Sequence, residues 1–249
     1  MFKKAILSFL LCFFVLNPKA TQASDVSCMD TWNQISQSTL EPIYEPLVGL
    51  CDTDFRNELS DKISTNKTLE YKEARHILFS SLDNFGGTVC DVYSSTCIST
   101  RDIPDPSRFN TEHSWCQSWG ATGTAKSDLH HLYPVRSDLN SRRNNFPFCE
   151  VLNSSWEEDG SVFGKSYSGT TCFEPPNWHK GELARAMLYF AVRYSREIDP
   201  EQEAFFRKWN EEYPVSNKEY QRNEGIYGFQ GNRNPFILHP SFVNLIQDF

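Results

Sequence analysis

Seven cysteines follow an amino-terminal segment that reads as an export leader, and they restrict the chain to folds that disulfides can staple: Cys28, Cys51, Cys90, Cys97, Cys116, Cys149 and Cys172. An eighth, Cys12, lies inside the leader. That leader has a basic head, MFKK, an apolar run, AILSFLLCFFVL, and small residues that set up cleavage after Ala23, so residues 1–23 are expected to be removed as a signal peptide. The run is too short to span a membrane, and no later segment approaches ~18 consecutive apolar residues. Bulky Leu11 before Cys12 argues against a lipid anchor. The mature protein is therefore expected to be soluble and exported, periplasmic or extracellular, with no membrane partner. An odd number of thiols permits at most three internal bridges and leaves one cysteine over. Cys90 and Cys97, flanking DVYSST, are the easiest pair. Spacing leaves the other pairings open, and no C-x-x-C supports a zinc ribbon or a redox motif.

Charge excludes bulk polyanion binding. The full chain carries 24 basic and 32 acidic residues. Without the leader the balance is about −11, so a nucleic-acid site must be a local basic patch.

The length of 249 residues suffices for a real core, and no repeat or linker divides it. Apolar residues recur at helical spacing in TDFRNELSDKI (Phe55, Leu59, Ile63, capped by Asp52 or Thr53) and in LEYKEARHILFSSL (Tyr71, Ala74, Leu78, Leu82). The strongest pattern is GELARAMLYFAVRYSRE, with Leu183, Met187, Phe190 and Tyr194 on one face. Further helices are expected after Pro200 and from a capping box, Ser216 to Glu219. Strands are expected around GTVCDVYSS and RFNTEHSW. The class is α+β, a single domain with helices framing a small strand-rich middle.

The chemistry concentrates in FNTEHSWC, residues 109–116, and KSDLHHLYPVRSDLNSRRNNFPF, residues 126–148. Adjacent residues of a strand face opposite ways, so Glu112 and His113 can serve one site only if the strand ends or bends there. Pro134 suits a first helical turn, which predicts a second strand over 128–133 and a helix starting at the proline. Arg136, Asn140 and Arg143 would then share a helix face, with Val135 and Leu139 packing on the other. An amide oxygen between arginines suits a hard cation beside a phosphate. The order is strand, strand, helix. In it Glu112 and Asn140 can hold Mg²⁺, with Mn²⁺ or Ca²⁺ able to take its place, while neutral His113 takes a proton from water.

These two stretches, together with GELARAMLYFAVRY and QRNEGIYGFQGNRNPFILHP, resemble the endonuclease I family from about Tyr71 to Pro240. The resemblance implies an exported, single-domain nuclease, residues 24–249, built on a ββα-metal (His-Me finger) core surrounded by helices. It implies sequence-tolerant cleavage of DNA, and often RNA, by a monomer using Mg²⁺. It also implies His113 as general base and Glu112 and Asn140 as metal ligands. Two departures accompany it. Cys116 stands where many relatives have proline, which leaves a loop-pinning disulfide from Cys116 as an expectation. Residues 114–127 contain no arginine, only Lys126, so the scissile-phosphate role is open among Lys126, Arg142 and Arg143, with Arg136 a further substrate contact.

Other readings use the same residues. A nuclease scaffold without catalysis would bind nucleic acid only. A zinc hydrolase would use His113, His130 and His131, but neighbouring histidines in a strand diverge and no H-E-x-x-H helix is present. Arg185 is expected to bridge buried carbonyls, and Arg222, Asn232 and Asn234 to hold the loop behind the site.

Overall fold

The computed structural model describes residues 21–35 and 39–249. The leader expected at 1–23, with Cys12, falls almost wholly outside them. The first helix, α1 (Thr21–Gln34), runs across the expected cleavage point. It is followed by α2 (Asp52–Ser64) and α3 (Tyr71–Ile77), which continues as a π turn over Leu78–Leu82. Three short strands come next, β1 (Asn84–Phe85), β2 (Thr88–Cys90) and β3 (Cys97–Ser99). Strand β4 (Phe109–His113), β5 (Leu132–Arg136) and α4 (Ser137–Arg143) carry the candidate residues. A third sheet, β6 (Asn153–Glu158), β7 (Ser161–Lys165) and β8 (Thr171–Glu174), leads to α5 (Asn177–Arg193), α6 (Pro200–Glu212), α7 (Asn217–Gln230) and α8 (Pro235–Leu238). The class is α+β, but the strands form three separate antiparallel sheets, β1-β2-β3, β4-β5 and β6-β7-β8.

The helical periodicities translate directly into burial. Phe55, Leu59 and Ile63 are the buried residues of α2, and Ala74, Leu78 and Leu82 are buried along α3 and its π turn. Helix α5 differs from the single apolar face expected of it. Its residues 179–192 are buried on all sides apart from Glu182, because Ala184, Ala186 and Ala191 let neighbours close in around it. Gly181 serves the same end. A Cβ there would stand 2.4 Å from the Tyr213 carbonyl oxygen. Ser216 caps α7 by accepting from Glu219 N–H (3.1 Å), but the Glu219 carboxylate does not turn back to complete the box. It takes both Arg185 Nε and Nη2, at 2.6 and 2.7 Å, while Arg185 Nη1 reaches the Tyr213 carbonyl.

The hairpin β4–β5 sits between two apolar clusters. Leu132 and Phe109 join one, with α3 and Leu129; Tyr133 and Val135 join the main core around α5. Its register pairs Phe109 with Arg136 and His113 with Leu132. Pro134 therefore belongs to β5, and the helix starts three residues later than expected. The proline costs the ladder nothing. It stands opposite Thr111, and its carbonyl points away from β4 to accept Val92 N–H (3.1 Å), so the missing N–H faces that same outer side.

Three bridges close in the described chain: Cys28–Cys51, Cys90–Cys97 and Cys149–Cys172. Cys116 is free and buried, so the loop-pinning disulfide expected from it does not form. No helix among the described residues is long and apolar enough to cross a membrane.

The Arg185–Glu219 pair is nearly sealed from water, at 1% and 4% side-chain exposure. Glu219→Ala should therefore cost about 3–5 kcal/mol in urea unfolding, since it leaves a buried guanidinium uncompensated. Arg136→Ala, at the surface, should cost about 1 kcal/mol or less.

Candidate active site

Four consecutive residues of β4, Asn110, Thr111, Glu112 and His113, line one cleft of about 340 Å³. A strand shows successive residues to a single cleft only along an unpaired edge, and β4 has one because its sheet ends there. The edge supplies what the sequence reading sought from a bend. Tyr71, Cys116, Asn140, Arg143, Asn144 and others complete the lining. Helix α4 packs on both strands through buried Leu139, which turns Asn140 and Arg143 toward the edge. Asn140 Nδ2 donates weakly to the Thr111 carbonyl (3.4 Å), a group of the free edge, and leaves its Oδ1 unbonded.

Glu112 is 1% exposed. Its Oε1 accepts from Tyr93 OH (3.0 Å) and lies 3.3 Å from Arg143 Nε, while no donor among the described residues reaches Oε2. Burial raises its pKa, and the Arg143 charge and the Tyr93 hydroxyl pull it back down. His113 Nε2 bonds the Lys126 carbonyl (3.1 Å). A carbonyl only accepts, so Nε2 carries the proton and Nδ1 keeps its lone pair. Burial, His131 and nearby Lys126 and Arg143 push the His113 pKa down to about 3, which keeps the ring neutral. Tyr71 lies against it with ring centroids 5.5 Å apart.

The arrangement brings together Glu112, His113, Asn140 and Arg143, and it separates the other basic candidates. Arg143 is 1% exposed; both of its terminal nitrogens are engaged within the protein, and its Nε faces Glu112 without a hydrogen bond. Nη2 reaches the Ser114 carbonyl (2.7 Å), and Nη1 reaches the Asn144 carbonyl (2.8 Å) and the Cys116 sulfur. It braces Glu112 from below, so it has no free fork for substrate. Arg136 is not part of the helix face. It directly precedes α4 without a capping hydrogen bond and is neutralised by Asp138 and Glu158, away from the cleft. Arg142 stacks on Trp156, 4.3 Å from its centroid, and is also outside the lining. Lys126 stays beside the site, its Nζ 4.5 Å from the Tyr71 centroid.

His130 and His131 occupy a one-turn 3-10 helix, Leu129–His131, rather than a strand. Their Nε2 atoms are committed to the carbonyls of Asn232 (3.3 Å) and Ala125 (2.7 Å). The three-histidine zinc arrangement is thus not built, and no group of three or more His, Cys, Asp or Glu among the described residues could hold a metal. Behind the turn, Asp128 accepts from His130 N–H, Gln230, Tyr189 and Tyr194, joining the turn to α5 and α7. Arg222 holds the same turn through the Leu129 and Leu132 carbonyls. Tyr71, Tyr93 and Thr111 are site residues that the sequence reading missed. Helical spacing places Tyr71 among the packing residues, and nothing local marks Tyr93 as a partner of Glu112.

Comparison with known proteins gives a consistent picture. The sequence profile described as Endonuclease I matches residues 52–241. The chain is 30% identical over 230 residues to an extracellular ribonuclease of Bacillus amyloliquefaciens, covering 83% of this chain and 78% of that protein. It is 31% identical over 117 residues to an extracellular and to a periplasmic deoxyribonuclease of Aeromonas hydrophila, in each case over 45% of this chain. Those alignments cover 49% and 47% of the two deoxyribonucleases.

The buried imidazoles set an acid limit on stability. His130 and His131 are pushed by burial from 6.5 to about 4, and His113 from 6.5 to about 3. Below pH 6.5 the unfolded chain binds protons that the folded chain refuses, so their contribution is complete above 6.5 and is lost as pH falls toward 4. Urea midpoints should decline steadily from pH 7 to 5, and His130→Gln should flatten that slope by about one proton.

Proposed function

The chain belongs to the endonuclease I family, and from that premise we propose that it is an exported, Mg²⁺-dependent endonuclease that cleaves phosphodiester bonds of DNA and RNA with little sequence preference. The observation that carries the proposal is the convergence of Glu112, His113 and Asn140 on one polar cleft. Extracellular and periplasmic relatives of both ribonuclease and deoxyribonuclease name support export and a substrate defined by its backbone. The leader read at 1–23 supports it too, with 24–249 as the exported nuclease.

The donor set fits a hard cation. Glu112 Oε2 and Asn140 Oδ1 are both oxygens without a partner among the described residues, and Mg²⁺ typically takes one or two carboxylates and keeps several waters. Glu112 and Asn140 would hold the ion, and the β4–β5–α4 unit would be a ββα-metal core. When bound, the cation supplies charge stabilisation on the phosphoryl and leaving oxygens. The rest is the work of this chain. His113 accepts a proton from water at Nδ1, and its Nε2–H stays anchored on the Lys126 carbonyl. The water oxygen forms the new bond to phosphorus as the bond to the leaving ribose or deoxyribose oxygen breaks. Arg143 and Tyr93 hold the Glu112 carboxylate in one orientation throughout. A polyanion in the cleft would offset the cations that help depress His113, which makes the ring a better base once substrate is bound.

Plasmid cleavage in Mg²⁺ should be abolished by EDTA and restored by excess Mg²⁺. His113→Ala should lower kcat by ~10²–10⁴-fold with its fold intact by circular dichroism. Undiminished cleavage by that variant would reject the mechanism, and duplex binding without cleavage by the wild type would instead favour a binding protein on a nuclease scaffold. Asn140→Ala should raise the Mg²⁺ concentration needed for half-maximal rate by about 10-fold or more, read from a metal titration.

A further inference from the structure

Two cations share one tyrosine ring beside the cleft. Lys126 Nζ lies 4.5 Å from the Tyr71 centroid and the Arg75 guanidinium carbon 5.9 Å from it. Tyr71 and Arg75 stand four residues apart on α3, so they share a face of that helix. Arg75 Nε donates to Thr111 Oγ1 (3.3 Å), and Thr111 and Tyr71 both line the cleft, so Arg75 and Lys126 stand just outside the lining, each against a residue that belongs to it. Thr111 directly precedes Glu112 in β4. Neither Lys126 nor Arg75 forms an ion pair with a carboxylate among the described residues, and the two terminal nitrogens of Arg75 have no protein partner. Both cations lie around a ring that lines the cleft, where an anion would meet positive charge.

The geometry supplies more than charge. Held at Nε, the guanidinium keeps its outer edge of N–H donors available in a fixed plane, the shape that matches two oxygens of a phosphate. Lysine offers only a point charge. Arg143, the arginine nearest Glu112, has no such edge left, since its donors serve Ser114, Cys116 and Asn144.

We propose that Arg75 is the residue that grips the reacting phosphate of the substrate, with Lys126 on the adjoining phosphate. The role comes from helix α3, ahead of the hairpin, rather than from the arginine-free segment 114–127. The proposal rests on the nuclease reading above and deepens it.

The test uses the full exported chain with its disulfides intact and a short DNA duplex. Arg75→Gln should lower kcat by about 10²-fold, and Arg75→Lys should recover only part of it. In the His113→Ala background, with Ca²⁺ present, the slope of log affinity against log salt should fall by about 0.9 for Arg75→Gln, the value for one lost phosphate contact. Arg75→Lys should restore that slope in full while recovering kcat only in part. If Arg75 only tethers α3 to β4, its loss would lower Tm and leave the slope unchanged, which overturns the proposal. Wild-type cleavage rates in both variants would overturn it as well. A wild type that binds the duplex but does not cleave it removes the nuclease reading alone, because the salt slope still decides whether Arg75 touches phosphate.

Discussion

The Glu112–Arg143 ion pair is the contact on which the site depends. Both side chains are 1% exposed, so neither charge has water to fall back on. A sealed pair gains little net free energy over apolar residues of the same volume, because desolvation offsets the attraction. Its value here is geometric. One oxygen of Glu112 is tied to Arg143 and Tyr93, which leaves the other as the only one free to face the cleft. Arg143 in turn ties α4 to the segment after β4 through the Ser114 carbonyl and the Cys116 sulfur. Helix, strand and loop are thus set by one guanidinium, and the stack of Phe148 against it, 4.3 Å away, keeps it there.

The same device recurs behind the site. Arg185 and Arg222 are buried, and each is neutralised by a carboxylate distant in sequence, Glu219 and Asp83. Asp128 does the reverse, a buried carboxylate whose bonds join the turn at 129–131 to α5 and α7. His131, in that turn, sits 5.5 Å from the His113 ring. The imidazole of the site therefore leans on a polar framework that reaches the carboxyl-terminal helices.

Much of this was legible in the sequence. The spacing of Phe55, Leu59 and Ile63 gave α2 and its buried face correctly, because local periodicity and burial agree there. Glu112, His113 and Asn140 could be grouped because the strand-strand-helix order alone brings them near. What escaped was tertiary. Pro134 looked like a helix start, and only its pairing opposite Thr111 keeps it in a strand. Arg143 looked like a surface cation at helical spacing, yet Glu112, a non-local partner, draws it inside. Arg136 and Arg142 carried the same charge signal, and their neutralisation by Glu158 and stacking on Trp156 depend on a strand that no pattern around residue 140 announces. Arg75 went unnoticed because nothing near it in sequence points at β4.

The disulfides join cysteines that are consecutive along the chain, 28 with 51, 90 with 97, and 149 with 172. For a polypeptide crossing a membrane amino end first, each sulfur meets its proper mate as the next one to emerge, so order of appearance alone selects the native pairing. Cys116 is the exception, arriving between the second and third pairs with no mate of its own. Arg143 appears before Cys149, however, so the guanidinium that covers this sulfur can engage it ahead of the next competitor. The contact that steadies the Glu112 carboxylate would then also act as a guard against mispairing while the chain folds.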